Sequence, residues 1–499
     1  MLAAVLVFWI FDALPFQDLP AHAGLIAMRH RFAASPFEQR FFVLAPHLGP
    51  YSLFRFLGEG FVRVIGPVGA VRAIATLPVI ATPLALLWSR RRLFGDTSVA
   101  YGFLGVALSF GIMTLLGFAS YLLGVSVMLV GLTLWLELLA AVDERAPYVR
   151  KRELTMTVFA PFLFVAHGHA FVLFLLCAGA SSLAAGRRVA RMARVWTLVP
   201  ALGLAGWVAW LESGTTTPPG SVPIVPHLTP LFHSLGEKLE LLVTPTLMTR
   251  SGIDFLAAIV VWAFTAACAV LTVRGIRRAG DTRETRHTRA LFACAAVVAL
   301  IFFALPHAVG WFGFVDGRLV PVILFLTLLG VRRDALPSWM TRTLDVGAPV
   351  LATAIAALAL VASYRFQAEA KGYREVLTHV PAEARLLNLP LDPNSDVFVA
   401  HPFVHYDKLV LADRPIVVSD VWFHQGSALY PTPQNPALRL PESYSESDLK
   451  QIDWPAYELR DWDFVLIRTR PNAPQPFTPD ALVLAEHAGG WWLFAKSER

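Results

Sequence analysis

The segment FDALPFQDLPAHAGLIAMRHRF holds the acidic residues best placed for chemistry beside a membrane. Asp12 and Asp18 lie there, and His22 follows Asp18 by four residues, so a helix beginning near Pro20 would bring Asp18 and His22 together. A carboxylate this close to an apolar span is costly unless it is paired or used. It could act as a general base toward a hydroxyl group, or hold a divalent cation with the histidine. Alternatively, Asp18 only caps the helix and Asp12 marks the membrane interface.

A pair of histidines occupies a tight turn between two apolar stretches. His167 and His169 could ligate a metal or contact a phosphate. Side chains alternate along an extended chain, so the two imidazoles should point to opposite sides, which disfavours a shared metal. A polar turn without any chemical role is the alternative.

The segment PHAVGWFGFVDGRLVP places three ionisable residues at the mouth of another apolar stretch, namely His307, Asp316 and Arg318. Arg318 stands at the end opposite to most basic residues, and its planar guanidinium suits a lipid phosphate. The alternative is that Arg318 pairs with Asp316 or with a lipid headgroup.

Two further groups of polar residues are weaker candidates for contacts with an acceptor or a sugar. Residues 212–253 combine a proline-rich stretch with a predicted surface helix that could cover a lipid cavity. Aromatic residues with polar neighbours near the C-terminus could stack on sugars, although a small core and its rim need the same residue types. The candidates are His227, His233, Glu237 and Glu240 in the first group, and His401, His405, Tyr406, Asp407, Trp422 and His424 in the second.

The elements that position these residues are mostly membrane spans. Of 499 residues, 56% are hydrophobic and 16% are charged, whereas soluble domains carry about 25% charge. Apolar runs of roughly 15 to 25 residues recur up to position 364, and this length crosses a bilayer. The pattern predicts an α-helical polytopic membrane protein with about 11 transmembrane helices. The predicted spans are 1–14, 69–88, 97–117, 119–141, 154–168, 170–186, 197–211, 254–273, 291–306, 318–331 and 345–364.

Segment 50–66 is apolar but carries three charges, Arg55, Glu59 and Arg63, at spacings of four. Residues four apart lie on one helix face, so the charges form a polar stripe. This pattern favours an interfacial or cavity-lining helix over a span that faces lipid.

Basic residues in the connections predict the orientation. Lysine and arginine cluster in alternate connections, for example 90–92 and 187–194, while the turns near 118, 168 and 306–317 hold none. Cytoplasmic loops carry the excess of basic residues. We therefore expect a cytoplasmic N-terminus, with 15–68, 212–253 and the C-terminal region outside.

The composition changes near position 366, where prolines and charges become frequent. We expect a transmembrane domain over 1–364 and a soluble extracytoplasmic α/β domain over 365–499. The predicted elements of that domain are a helix at 368–380, strands at 384–391, 396–401, 408–413, 415–420 and 463–468, and a hairpin at 481–497 that turns at Gly489 and Gly490. Cys177, Cys268 and Cys294 lie in apolar runs, where they should behave as small buried hydrophobes.

The layout and one short motif resemble a known class of protein. A first span leading into an acidic external loop, with a soluble domain after the last span, resembles the GT-C superfamily of polytopic membrane glycosyltransferases. The phrase QDLPAH at 17–22 looks like the first-loop segment of bacterial members. The resemblance implies transfer of a hexosyl or pentosyl group at the external face of the bacterial inner membrane. The donor would be a polyprenyl-phosphate sugar, and the acceptor a lipid-linked glycan or another envelope molecule.

The resemblance also implies roles for individual residues. Asp18, and after it Asp12, matches the catalytic acidic residue, while Arg318 and His307 match a donor-phosphate site. The accessory or acceptor-side candidates are His22, His167, His169 and Asp316. The first loop has no Asp-x-Asp or Glu-Asp pair, so no residue is assigned to a metal, and a divalent cation stays optional.

Two other functional classes remain as alternatives. A lipid or glycan transporter or flippase would favour polar residues at the bilayer midplane and paired broken helices, whereas the conspicuous ionisable residues lie at span ends. A non-catalytic envelope assembly protein would use its C-terminal domain to bind a partner.

Several classes of protein lose their usual signals. The sequence holds no Gly-rich phosphate loop, G-x-S-x-G, H-E-x-x-H or C-x-x-C motif, which disfavours nucleotide hydrolysis, serine hydrolysis and zinc proteolysis. The basic residues lie between apolar runs, so they indicate membrane topology rather than binding to nucleic acid.

Overall fold

The structure is a computed structural model, and it describes the chain except residues 46–47, 185–193, 213–217, 223–228, 279, 311, 421–427, 442–443, 447–448, 450–458, 477–481 and 498–499. Within the described residues, five helices are long and apolar enough to cross a membrane. These are Ser52–Phe94, Ala119–Asp143, Gly252–Arg278, Arg283–Ala304 and Ser338–Ala370. The predicted helical, polytopic architecture with a C-terminal α/β region is confirmed.

Shorter helices fill in the rest of the helical region. Val149–Ala166, Gly168–Ala184, Val199–Glu212 and Leu319–Gly330 coincide with four further predicted spans. In the described parts of this region, the remaining short α-helices are Leu2–Leu6, Leu19–Arg31, Pro36–Phe41, Ala100–Leu108, Ile112–Leu115 and Leu235–Leu241. All three cysteines are buried free thiols, as expected.

The first predicted span, 1–14, is wrong as a continuous helix, since the helix covers only Leu2–Leu6. Arg72 provides the physical reason. Its guanidinium donates hydrogen bonds to the carbonyls of Phe11 and Asp12, both at 2.9 Å, and to that of Trp9 at 3.4 Å. Buried backbone carbonyls need hydrogen-bond donors, and a side chain that supplies them removes the need for the hydrogen bonds of a helix.

The third predicted span, 97–117, is broken in the middle, into Ala100–Leu108 and Ile112–Leu115. Gly111 lies at the break in an extended conformation. A Cβ atom there would lie 2.4 Å from the carbonyl oxygen of Pro245. The break therefore lets another backbone segment approach closely, which a glycine permits.

Segment 50–66 begins the longest helix, Ser52–Phe94, which kinks at Gly66, where φ is +70°. Arg55 is buried. Glu59 accepts hydrogen bonds from Arg63 at 3.1 Å and His30 at 3.0 Å. His30 belongs to helix Leu19–Arg31. Within the polar stripe, Glu59 thus contacts the helix that follows Asp18.

The C-terminal region is built on a five-stranded sheet. Its strands are β4 (Arg385–Pro390), β5 (Val417–Val418), β7 (Phe464–Arg468), β8 (Leu482–Ala488) and β9 (Trp491–Lys496), in the order β5-β4-β7-β9-β8. β4 is parallel to β5 and β7, while β7–β9 and β8–β9 are antiparallel. The predicted hairpin at 481–497 is confirmed, and Gly489 has a φ of +62° in its turn.

The two faces of this sheet pack on different cores because successive strand residues alternate in direction. Leu387 and Leu389 of β4 belong to a core within the C-terminal region. Leu386 belongs instead to the large core that continues into the membrane helices. One face of the sheet is therefore packed onto the transmembrane part.

Two of the predicted strands are wrong. Residues 408–413 form helix Leu409–Asp413, preceded by a 3-10 turn at Pro402–Lys408. Short apolar runs cannot be assigned to helix or strand by periodicity alone. Residues 396–401 form only a single bridge, Phe398 to Thr249. There the Ser395 hydroxyl accepts hydrogen bonds from the amides of Val397 and Phe398 and so competes with a strand ladder.

The C-terminal region is fastened to the loop that follows the first helix. Strands β1 (Phe42–Leu44) and β6 (Leu429–Pro431) pair antiparallel. The Tyr406 hydroxyl donates to the carbonyl of Leu14 at 2.8 Å. Another pair, β2 (Pro230–Leu231) with β3 (Ala308–Val309), joins two further connections between helices. These contacts bring side chains from distant parts of the sequence to Asp18.

Candidate functional site

Asp18 is held in place by the backbone of a neighbouring loop. Gln17 donates its amide to Leu115 at 2.7 Å, and Asp18 donates to Leu116 at 3.2 Å. Gly117 follows with a φ of +81°. A Cβ atom on Gly117 would lie 2.9 Å from that of Asp18, so the loop approaches as closely as glycine allows. Asp18 therefore has a fixed backbone position.

The side chain of Asp18 does not cap the helix that it precedes. Asp18 is the N-cap residue of Leu19–Arg31, yet its carboxylate makes no capping hydrogen bond. It is only 9% exposed. Its recorded neighbour is the imidazole of His405, with 3.6 Å between Nε2 and the carboxylate oxygen. The capping alternative is therefore not observed, and the carboxylate is available for other work.

His22, the predicted partner of Asp18, takes a different role. Its ring packs against Phe54, with 4.6 Å between the centroids. The imidazole that the structure places against Asp18 comes from His405, near the other end of the chain. The spacing of four residues thus predicts a histidine beside Asp18 but selects the wrong one, because the partner is supplied by tertiary packing.

Burial raises the pKa of Asp18 to about 6, despite the opposing positive charges of His405, Arg318 and Lys408. The carboxyl group thus titrates close to neutral pH, as a general base should. Burial and Lys408 lower the pKa of His405, but Glu446 and Asp18 outweigh them and raise it overall. A positively charged imidazole therefore faces the Asp18 carboxylate near pH 6.

A buried network orients His405. Its Nδ1 lies 2.8 Å from Glu446, which leaves Nε2 facing Asp18. Lys408 donates to Glu446 at 2.6 Å and to Asp407 at 3.2 Å. Asn388 donates to both carboxylates, at 3.0 Å to Asp407 and 2.9 Å to Glu446. The network fixes the ring, because the hydrogen bond at Nδ1 determines that Nε2 faces Asp18.

Sequence reasoning missed Asn388, Lys408 and Glu446 as members of this network. The signal present in the sequence was the polar run HYDK at 405–408 within an apolar context. Charged residues at such positions are rarely buried unless they are paired. Among the weaker candidates, Tyr406 packs in the large core, and His401 is exposed, with its Nδ1 2.9 Å from Asn394. Trp422, His424 and His227 lie outside the described residues.

Arg318 lies in an aromatic setting. It is 5% exposed, and its guanidinium carbon sits 4.3 Å from the ring centroid of Phe118 and 4.1 Å from that of Phe312. It donates to the carbonyl of Gly313 at 3.2 Å. Its Nε has no partner among the described residues. A buried guanidinium with a donor to spare suits an anionic ligand.

The expected alternative for Arg318, pairing with Asp316, is not observed. Asp316 accepts instead from His307 at 2.8 Å and from the Lys238 ammonium. Burial opposes ionisation of Asp316, but these two hydrogen bonds lower its pKa overall. His307 stacks on His233 at 3.9 Å. His307 and Asp316 thus form a separate ion-pair network beside Arg318.

His167 and His169 both face one aromatic ring, contrary to the expected opposite orientations. Their centroids lie 5.4 and 5.5 Å from that of Tyr121. The reason is that His167 is extended while Gly168 already starts the next helix, so the chain turns between the two rings. Tyr121 also donates its hydroxyl to the carbonyl of Arg318. The histidine pair therefore borders the Arg318 site.

Asp12 lies apart from this cluster. Its side chain is 81% exposed and sits 3.4 Å from the guanidinium of Arg374, itself 62% exposed. An exposed pair of this kind contributes little energy. The structure therefore gathers Asp18, His405 and Arg318 and leaves Asp12 at the surface.

Two groups of side chains in the described part of the chain have the composition of a cation site. They are His233, His307 and Asp316, and His405, Asp420 and Glu446, with ligand atoms within 4.8 Å of one another. In each group, a buried ammonium already contacts a carboxylate, Lys238 on Asp316 and Lys408 on Glu446. A divalent cation would have to compete with these lysines. We therefore treat both groups as ion-pair networks and assign no chemical step to a metal.

The arrangement of membrane helices, first loop and packed C-terminal sheet is shared with a solved structure. The structure is similar to the crystal structure of ArnT from Cupriavidus metallidurans in the apo state, over 99% of this chain and 96% of that one. The TM-score is 0.54 and the sequence identity is 13%, so the likeness shows a common fold. No protein-family model matches the sequence. Curated proteins gave no significant match either.

Proposed function

We propose that the chain is a membrane glycosyltransferase that moves a sugar from a polyprenyl-phosphate donor to an acceptor hydroxyl at the external face. The observation that carries the proposal is the buried, uncapped carboxylate of Asp18 beside His405. Its pKa of about 6 suits proton abstraction at neutral pH. The fold shared with ArnT, a GT-C glycosyltransferase, supports the same class.

In the proposed reaction, Asp18 accepts the proton of the acceptor hydroxyl as its oxygen attacks the anomeric carbon. The bond from that carbon to the phosphate oxygen breaks, and its electron pair leaves with the polyprenyl phosphate. A single displacement of this kind inverts the anomeric configuration, as in inverting glycoside hydrolysis. The proton stays on Asp18 until solvent removes it.

Arg318 is proposed to stabilise the leaving phosphate. Its guanidinium is buried and lies near enough to Asp18 to lower the pKa of that carboxyl group. Charge that develops on the phosphate in the transition state would be met by a donor that is already in place. His307 would then act on the donor through the loop that carries Arg318, rather than by direct contact.

The proposed location is the bacterial inner membrane, with the N-terminus in the cytoplasm and the Asp18 site outside. The boundary near 364 is proposed as the end of the transmembrane domain, although helix Ser338–Ala370 continues past it. The proposed acceptor is a lipid-linked glycan or another envelope molecule.

The proposal is tested by sugar transfer in membranes that contain equal amounts of wild type, Asp18→Asn or Asp12→Asn. A panel of labelled polyprenyl-phosphate sugars serves as donors, and the membranes supply the acceptors. We expect transfer to fall at least about 100-fold in Asp18→Asn, the usual scale of general-base catalysis, and to persist in Asp12→Asn. The reverse pattern would place the base at Asp12. Wild type without transfer from any donor would favour transport or assembly.

A further inference from the structure

A basic cavity lies at the far end of the helices that carry the candidate site. It has a volume of about 570 Å³ and is lined by Trp88, Arg91, Arg92, Glu137, Arg152 and Arg283. Helix Ala119–Asp143 runs from the candidate site to the cavity. Tyr121 contacts Arg318 at one end of this helix, and Glu137 lines the cavity at the other. Sixteen residues of helix separate them by about 24 Å. The cavity therefore lies toward the opposite membrane face and takes no part in the proposed transfer.

Glu137 holds two of the arginines in position. It is 2% exposed and lies 2.8 Å from Arg92 and 2.6 Å from Arg152. Arg283 lies 3.9 Å from a second carboxylate, Glu144, which is outside the lining. Two carboxylates cannot neutralise four guanidinium groups, so the lining keeps a positive excess. Each guanidinium has five N–H donors, most of which these pairs leave unused. The cavity thus offers preorganised donors to an anion.

A second cavity of about 290 Å³ shares Arg92 and Arg152 with the first. Its other lining residues are Leu134, Tyr148, Lys151 and Thr155, which combine apolar surface with one more positive charge. Arg152 lies 5.2 Å from the ring centroid of Tyr148, and Arg92 lies 5.8 Å from that of Trp88. Aromatic residues beside arginines are typical of the interfacial zone of a bilayer. The surroundings suit a charged head joined to an apolar stem.

We propose that these two cavities, which share Arg92 and Arg152, bind the phosphate group of an anionic ligand. Basic pockets between helix ends on one membrane face recognise lipid headgroups in this way, and a soluble phosphate offers the same chemistry. Arg92 and Arg152 are the positioned donors. Arg91, which is exposed, and Arg283, at the start of helix Arg283–Ala304, complete the ring of charge.

The experiment uses the purified full-length chain in a neutral detergent. Binding of fluorescent phosphatidylglycerol is measured, with unlabelled phosphatidylglycerol, phosphatidylcholine and inorganic phosphate as competitors. The test variant is Arg91→Gln/Arg283→Gln, which leaves Glu137 its two partners. The matched control is Arg278→Gln/Arg342→Gln, two exposed arginines outside the lining. Arg91→Gln alone serves if the double variant melts at a lower temperature than wild type.

We expect wild type to prefer phosphatidylglycerol to phosphatidylcholine. The double variant should bind phosphatidylglycerol roughly 30-fold more weakly, Arg91→Gln alone about 5-fold, and the control within about twofold. If inorganic phosphate competes while phosphatidylglycerol shows no preference, the phosphate comes from a soluble molecule and the site stands. Equal binding by wild type and the test variant, or equal weakening in the control, would overturn the proposal. Sugar transfer is not part of the readout, so the outcome is independent of the proposed function.

Discussion

At the scale of single residues, the candidate site rests on one carboxyl group whose charge is costly. Asp18 is 9% exposed, and burial raises its pKa from 3.8 to about 6. A group that is harder to ionise when folded binds protons more readily in the folded state. Between these two pH values the folded protein therefore holds more protons, and its stability falls as the pH rises. A residue that lowers stability in this way points to function rather than folding.

The first prediction is that Asp18→Asn stabilises the protein above pH 6. An amide avoids the cost of burying a charge, which for this pKa shift is up to about 3 kcal/mol. The melting temperature of the variant should exceed that of wild type at pH 8, and the difference should shrink as the pH falls to 4. A variant less stable than wild type at pH 8 would show that the carboxylate supports the fold.

The second prediction concerns His405, whose Nε2 lies 3.6 Å from the Asp18 carboxylate and whose pKa is raised overall, although burial opposes its charged form. The pH profile of kcat/KM should rise through about 6 in wild type, since the base must be ionised. His405→Gln removes a positive neighbour, so the pKa of Asp18 should rise and the acid limb should move up by about 1 unit. His401→Gln, in the same region, is the control and should leave the limb unmoved. An unshifted limb in His405→Gln would separate His405 from the base.

At the scale of elements, the position of Asp18 depends on a loop rather than on a helix. The third prediction is that Gly117→Ala lowers sugar transfer about 100-fold, the cost of displacing a catalytic group by roughly 1 Å. The added methyl would press on Asp18, and alanine is strained at a φ of +81°. Gly203→Ala, with nothing within 4 Å of the new methyl, is the control. Equal activity in both variants would contradict the role of this loop.

The helices and part of the candidate site can be predicted from the sequence. Hydropathy predicts most of the membrane helices, because burial in lipid leaves a continuous apolar run. Asp18 and Arg318 stand out because charges at the ends of such runs are rare. The sequence offers His405 only as one of several weaker candidates for sugar contact and does not single out Glu446, since the importance of both depends on contacts between distant segments. Tyr406, next to His405, bonds Leu14 across 392 positions, and a single sequence does not record such contacts.

Two predicted elements, the span 1–14 and the strand 396–401, differ from the structure for local physical reasons. The first helix is shorter than predicted because Arg72 donates hydrogen bonds to the backbone carbonyls of Phe11 and Asp12. Residues 396–401 do not form a strand because the Ser395 hydroxyl accepts hydrogen bonds from the amides of Val397 and Phe398. Both are side chain to backbone hydrogen bonds, which compete with regular secondary structure. Neither leaves a mark on hydrophobic periodicity.

At the scale of the whole molecule, the site exists only while the C-terminal region stays docked. Arg31, on the helix after Asp18, donates to the carbonyls of Leu411 at 2.6 Å and Arg414 at 3.0 Å. It also pairs with Glu38, which is fully buried, at 2.6 Å. The Arg31 guanidinium thus joins the helix that follows Asp18 to the C-terminal region that carries His405.

The fourth prediction is that Arg31→Gln loosens the C-terminal region. Leaving Glu38 buried without its partner should cost about 3–5 kcal/mol. Limited proteolysis should then cleave the C-terminal region faster, and sugar transfer should fall. Arg63→Gln, which breaks the exposed pair with Glu59, is the control and should behave as wild type. The double variant Arg31→Gln/Glu38→Gln should recover part of the resistance to proteolysis. Equal rates of cleavage in Arg31→Gln and wild type would contradict the role of Arg31 in docking the C-terminal region.

Asp18 is proposed to act in the chemical step of sugar transfer and not in binding the donor. The most direct measurement compares donor binding and single-turnover transfer for purified wild type and Asp18→Asn, with the active polyprenyl-phosphate sugar and extracted membrane acceptors. We predict that the donor Kd stays within about twofold of wild type, while the transfer rate falls at least about 100-fold. Equal loss of binding and rate would make Asp18 a binding residue. An unchanged rate would remove it from the mechanism.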